Sequence, residues 1–185
     1  MKILGVESSA TSASVSVVEN GKVIALESSN TGLTHSQTLM PMVESTLKKT
    51  TATINDIDYI AVSNGPGSFT GIRIGITIAK VYSWSLNIPI TTITSLEAMS
   101  LSSETAKYHV PAIDARRGYV FAAIYDQNNR QILKPQHIKI EDLKQEMASL
   151  DDYVVITNDE YLDELLAYLQ DKKFCINVIS KSGTT

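Results

Sequence analysis

The sequence predicts an α/β protein of two ribonuclease-H-like lobes, each a βββαβα unit, with the second lobe short. Three observations carry that expectation. Two stretches, beginning at Ile3 and at Val110, each read as three consecutive strands followed by a helix. Each opening strand is a short apolar run that ends on an acid, Glu7 in one and Asp114 in the other. Each unit then continues into a further strand and helix, so the repeat is one of topology and not of residues.

The first lobe opens with Ile3 to Val6. Ala13 to Glu19 follows, alternating small or polar with apolar residues as a half-buried strand does. Asn20-Gly21 is a two-residue hairpin signal, because both residue types tolerate positive φ. Lys22 to Glu27 returns as the third strand. Leu39, Met40, Val43 and Leu47 then recur at helical spacing, which predicts a helix from Ser36 to Lys49. Tyr59 to Val62 is a buried strand, and Phe69 to Leu86 a long helix. A short helix near Leu96 to Leu101 is the expected hinge, giving lobes over residues 1–105 and 106–185.

The second lobe repeats the order. Val110 to Asp114 is a strand, Arg116-Arg117-Gly118 a turn, and Tyr119 to Tyr125 the returning strand. Gln127-Asn128-Asn129 turns again before a strand beginning near Gln131. A helix from Glu141 to Leu150, a strand from Tyr153 to Ile156 and a helix from Glu160 to Leu169 complete it. The sequence stops at Thr185, soon after its last strand, so a compact second lobe or a missing C-terminal segment are both open.

A net charge of −4 argues against a chain that holds nucleic acid by itself, since phosphate binding relies on clustered Lys and Arg. Lys48-Lys49, Arg116-Arg117 and Lys172-Lys173 are the adjacent basic pairs, and each reads first as solvated surface. Cys175 is the single cysteine and sits in an apolar run, so a buried thiol in a reducing compartment fits. No segment approaches the roughly 18 apolar residues of a membrane span. A cytoplasmic protein is expected.

The most informative stretch is Gly65-Pro66-Gly67-Ser68-Phe69-Thr70-Gly71-Ile72-Arg73-Ile74-Gly75. A strand, a glycine-rich turn and a helix N-terminus together make a natural anion cradle, because unpaired backbone N–H groups point outward there. A Walker A loop needs Gly-Lys followed by Ser or Thr, and none exists here. A dinucleotide fingerprint started at Gly65 and Gly67 would place its third glycine on Thr70. Glu7, Ser9, Gly65, Gly67 and Ser68 therefore stay as minor anion or nucleotide candidates.

The helix after the loop suggests a different use. Gly71, Gly75, Ala79 and Ser83 are small and recur every fourth residue, forming one stripe that a neighbouring helix can approach closely. Ile72, Ile74, Ile76, Ile78, Val81, Tyr82, Trp84 and Leu86 surround it, so the helix must be covered on several faces. A partner helix is preferred over internal burial, and Gly75→Leu is expected to abolish pairing while leaving the monomer folded. The helix from Ser36 to Lys49, with Met40 and Met42, is the expected neighbour. His35, His109 and His137 are scattered, with no His pair at i and i+4. Glu7 and Asp114 could share a cleft, but no third ligand or base joins them.

Glu7-Ser8-Ser9 near the N-terminus, His35-Ser36 opening a helix, the GPGSFTGIRIG stretch and Ile113-Asp114-Ala115-Arg116-Arg117 together resemble the bacterial TsaB family, over essentially the whole chain. The resemblance implies the actin-like and sugar-kinase-like ATPase architecture of two ribonuclease-H-like lobes. It implies a part in making threonylcarbamoyladenosine on transfer RNA, as a non-catalytic subunit. The partners it implies are a catalytic TsaD-like subunit, bound through helices of the first lobe, and a TsaE-like ATPase. Exposed apolar helices make a homodimer expected for the chain alone, with tRNA contacted only through the complex.

The residues that match the family's interface helices are His35, Leu39, Met40, Val43, Leu47, Gly71, Ile72, Gly75, Ile76, Ala79 and Ser83. TsaD-like relatives hold a metal with H-x-x-x-H, whereas the residue four after His35 is Leu39, so no metal, no catalytic residue and no resident cofactor are expected. ATP or ADP at a partner interface stays open. Glu7 and Ser9 stand where nucleotide-binding relatives carry Asp and Gly. The alternative reading is an ATPase or a peptidase-like hydrolase with its site between the lobes, at Glu7, Ser9, the glycine loop and Asp114.

Overall fold

The computed structural model describes residues 1–29, 35–101 and 105–157, with Leu165, Ala167, Tyr168 and the strand Cys175–Ile176. The chain divides into two compact units, Met1–Ser95 and Leu96–Thr185.

The first unit runs β1 (Lys2–Glu7), β2 (Ala13–Glu19), β3 (Lys22–Ser29), α1 (His35–Lys49), β4 (Tyr59–Ser63), α2 (Phe69–Leu86) and β5 (Ile90–Ile93). Asn20 and Gly21 take φ of 50° and 79°, which closes the β2–β3 hairpin in the conformation the dipeptide favours. The sheet order is β3-β2-β1-β4-β5. β1, β2 and β3 pair antiparallel, while β1, β4 and β5 pair parallel. Parallel neighbours need a crossover, and α1 and α2 supply the two.

Alternate residues of the strands meet the inward stripes of both helices. Leu4, Val6, Val15, Val17, Ile60 and Val62 pack with Leu39, Val43, Leu47 and Ala79. Glu27 on β3 ties down α1, accepting hydrogen bonds from Ser45 Oγ (2.8 Å), Thr46 Oγ1 (3.2 Å) and Lys49 Nζ (2.9 Å). Burial raises the Glu27 pKa, but the Lys49, Ser45 and Thr46 hydrogen bonds outweigh it and hold the carboxyl below its ordinary 4.5. α2 ends at Asn87, whose φ of 54° places it in the left-handed region that stops a helix, and Pro89 follows.

The second unit contains α3 (Ser95–Leu101, from its second residue), β6 (Tyr108–Arg116), β7 (Tyr119–Asp126), β8 (Gln131–Lys139), α4 (Ile140–Ala148), β9 (Tyr153–Thr157) and β10 (Cys175–Ile176). Its sheet order, β10-β9-β6-β7-β8, repeats that of the first unit strand for strand. Antiparallel pairs join β6, β7 and β8, and parallel pairs join β6, β9 and β10. One face buries Val110, Ala112, Val120, Ala122 and Ile124 against Leu143 and Met147 of α4. The other face packs Ile113, Ala123 and Tyr125 with Leu96.

The duplicated α/β reading stands. The expected division after residue 105 differs from the boundary at Ser95, so all of α3 but its first residue lies in the second unit. β5 was not expected; its pattern is almost wholly exposed and gives no alternation to detect. Of the helix expected over 160–169, Leu165, Ala167 and Tyr168 are the described residues, and all three are helical. The Cys175 side chain and Lys172-Lys173 lie outside the described residues.

Candidate functional site: the outer face of α1 and α2

The site is built from behind by the glycine loop. Gly65 and Gly67 take φ of 94° and 151°, which carries the chain from β4 into α2 at close quarters. A Cβ on Gly67 would run into the Ser9 carbonyl. The Ser68 N–H donates to that same carbonyl at 2.6 Å. Ser68 then caps α2, its Oγ accepting the Gly71 N–H at 3.2 Å.

Behind the cap lies a chain of buried hydroxyls. Ser63 Oγ and Ser95 Oγ share a hydrogen bond of 2.8 Å, and Ser95 Oγ also bonds Ser9 Oγ at 2.8 Å. The Ser95 N–H donates to the Gly65 carbonyl at 2.8 Å, and the Ser9 N–H to Glu7 Oε1 at 2.5 Å. The structure thus brings Glu7, Ser9, Gly65, Gly67 and Ser68 together, as the anion reading requires. Their arrangement is a lock between the β1–β2 turn and α2. The Ser68 and Gly71 amides that an anion would take are both engaged within the chain.

The small-residue stripe belongs to the same lock, which corrects the expectation drawn from its spacing. Gly71, Gly75 and Ala79 are buried within the first unit. A Cβ at Gly71 would overlap the Ser8 carbonyl, and one at Gly75 would overlap Ser8 Oγ. Ser8 Oγ in turn donates to the Gly71 carbonyl at 2.9 Å. Glycine is needed here because α2 lies against the protein's own β1–β2 turn. Gly75→Leu is therefore not a clean probe of pairing.

Leu39, Val43 and Leu47 are also core residues and face no partner. His35 is half-buried, with Nε2 2.9 Å from the Ala10 carbonyl and its ring beside Gly71. Ile72, Ile76 and Ser83 are half-buried, and among the expected interface residues Met40 alone is exposed, at 39%.

The surface left open lies on the opposite side of α2. Arg73, Thr77, Lys80 and Trp84 follow one another at helical spacing and are all exposed. Phe69 is 73% exposed and Trp84 89%. The Arg73 guanidinium lies 5.1 Å from the Phe69 ring centroid. Between the helices runs a groove of about 430 Å³, lined by Ser36, Met40, Thr70, Arg73, Ile74, Thr77 and Ile78.

Sequence reasoning missed this row because it followed the small residues. The signal was present: the two charges of α2, Arg73 and Lys80, mark the side opposite the glycines. Among the described residues, no group of three His, Cys, Asp or Glu side chains is placed to hold a metal.

The family model described as TsaD, tRNA N6-adenosine threonylcarbamoyltransferase, matches residues 29–161. A protein of Bacillus subtilis named tRNA threonylcarbamoyladenosine biosynthesis protein TsaB is 34% identical over 146 residues, spanning 77% of this chain and 64% of the relative. A TsaB of Buchnera aphidicola from Schizaphis graminum is 33% identical over 85% of this chain and 78% of its own. This chain therefore matches less than two thirds of the Bacillus relative's length.

Among solved structures, YeaZ from Pseudomonas aeruginosa superposes with a TM-score of 0.77 at 21% identity, over 95% of this chain and 84% of that one. A Bacteroides thetaiotaomicron protein described as having an actin-like ATPase fold superposes with a TM-score of 0.51 at 10% identity, over 97% and 92%. These two likenesses speak to the fold, and they agree with the repeated sheet order. With the glycine loop, the duplicated units and the curated relatives in agreement, the chain belongs to the TsaB family of tRNA threonylcarbamoyladenosine biosynthesis proteins.

Proposed function

We propose that this chain is the non-catalytic partner of a TsaD-like catalytic subunit, which it binds and activates through the outer face of α1 and α2. One observation carries the reading. The inward side of α2 is already filled by the chain's own turn and sheet, yet Phe69, Val81 and Trp84 stand exposed beside a groove with an apolar floor. Exposed aromatic anchors around a groove are the usual core of a protein interface. The family supplies the chemistry of the occupant, and the helix face supplies its seat.

In this reading the chain works in the cytoplasm, and a TsaE-like ATPase joins the pair. Transfer RNA is acted on by the assembled complex. Without its partner, the chain covers the same face with a second copy, as a self-complementary patch does. Any ATP or ADP sits at a partner interface.

The test is threonylcarbamoyladenosine formation on tRNA by a purified TsaD-like subunit, a TsaE-like ATPase and the donor-forming enzyme, with and without this chain. Strict dependence is expected, with no product from this chain alone. Thr77→Arg, which fills the groove without touching the core, is expected to weaken pairing at least tenfold and leave circular dichroism unchanged. Full activity without the chain would overturn the role.

A further inference from the structure

We propose that the exposed end of the β6–β7–β8 face is an RNA-contacting surface, where the Tyr119–His137 ring stack receives an unpaired base and Arg116, Arg117 and Lys139 take the flanking phosphates. The inference rests on the reading above, which makes tRNA the macromolecule at hand.

Strand register puts the rings together. Tyr119 pairs with Lys139 and Phe121 with His137, so all four share one face of the sheet. The Tyr119 and His137 rings are parallel within 2° with centroids 4.6 Å apart. The Phe121 ring stands tilted at 5.3 Å from His137, and Lys139 Nζ lies 5.9 Å from the Tyr119 centroid. β8 is the edge strand of its sheet, and His137 and Lys139 are exposed on it.

The adjoining turn adds charge. Arg116, Arg117 and Gly118 take φ of 67°, 56° and 75°. Asp114 Oδ1 accepts the Arg116 N–H at 2.7 Å and holds that turn. Both arginine side chains are exposed, and neither forms an ion pair with a described residue. The following helix carries Glu141, Asp142 and Glu146, of which Glu141 is paired to Lys144 at 2.7 Å, and the turn itself carries Asp114 against the positive charges of Arg116, Arg117 and Lys139.

On a chain of net charge −4, such a patch confines where a polyanion is received. Charge alone would equally suit an acidic protein. The parallel ring stack favours RNA, because unpaired bases stack on aromatic faces while phosphates take the flanking cations.

The experiment is fluorescence anisotropy of an end-labelled, unmodified tRNA transcript titrated with the full chain across a salt series. The Arg116→Gln/Arg117→Gln double variant is expected to bind more weakly and to lower the salt slope by about 1.5, the share of two phosphate contacts. His137→Ala is expected to lose about fivefold or more in affinity with the slope unchanged. Lys139→Gln is the second charge variant should the turn not tolerate substitution. Melting of each variant and its capture of the TsaD-like subunit are measured in parallel.

Wild-type chain that does not bind the transcript, or variants that bind as wild type, would overturn the inference and leave the pairing reading standing. Variants that lose partner capture but keep tRNA would make the patch a protein contact and overturn it equally. Patch-dependent tRNA binding by a chain that fails to pair would instead sink the proposed function and leave this surface in place.

Discussion

The two units share one sheet order but treat the turn after their first strand in opposite ways. In the first unit the β1–β2 turn is pinned under α2, with Ser8 and Ser9 bonded to Gly71, Ser68 and Ser95. In the second, the β6–β7 turn is short and exposed, and it carries two arginines at positive φ. The same topology thus yields a buried fastening in one unit and an open charged tip in the other. The difference teaches that duplication sets where the turns fall, while the side chains placed on them decide whether a turn holds the fold or meets a partner.

The comparison can be broken most directly at Gly71. A larger side chain there meets backbone, which cannot swing aside, so Gly71→Leu is expected to destabilise the first unit by about 3 kcal/mol or more in denaturant unfolding. Gly75→Ala meets the movable Ser8 hydroxyl and gains helix propensity, so its net cost should stay near 1 kcal/mol. Equal losses at the two glycines would mean that the Ser8 turn is not what excludes them.

A smaller effect is expected in the hydroxyl chain. Ser95→Ala removes the middle member and strands Ser9 and Ser63, for a loss of about 1–2 kcal/mol by thermal melting. Arg117→Gly should move the second unit the other way. Relief of the left-handed backbone there slightly exceeds the entropy lost with glycine, giving a gain of about 0.5 kcal/mol or less. A clear loss would show that this turn is also a fastening.

The smallest effect concerns Glu27 and pH. Its folded pKa is depressed, so its contribution is present above its unfolded value of 4.5 and disappears as pH falls through the lower folded value. Stability measured between pH 6 and about 3 should therefore fall less for Glu27→Gln than for wild type. Parallel pH profiles would remove Glu27 as an anchor of α1.

Much of this was legible in the sequence. The bounds of α2, Phe69 to Leu86, follow from the glycine loop before it and the Asn87-Ile88-Pro89 stop after it. The hairpins at Asn20-Gly21 and Gly118 announce themselves by residue type. What covers the small stripe was not legible. Small residues allow close approach to any backbone, and their spacing does not say whether a foreign helix or the chain's own turn will fill the space. The Ser9–Ser95–Ser63 chain was hidden for another reason, since its members lie far apart in sequence and only the parallel pairing of β1, β4 and β5 gathers that end of the sheet. β5 itself is an exposed edge strand without a periodic pattern.

Trp84, 89% exposed near the C-terminal end of α2, is the single tryptophan of the chain. Its indole emission therefore reports on one place alone. Excited from water in the free monomer, it will shift to the blue and resist acrylamide quenching when any second molecule covers that end of the helix. The protein thus carries its own optical readout of docking, and an equilibrium can be followed in a cuvette with no label attached.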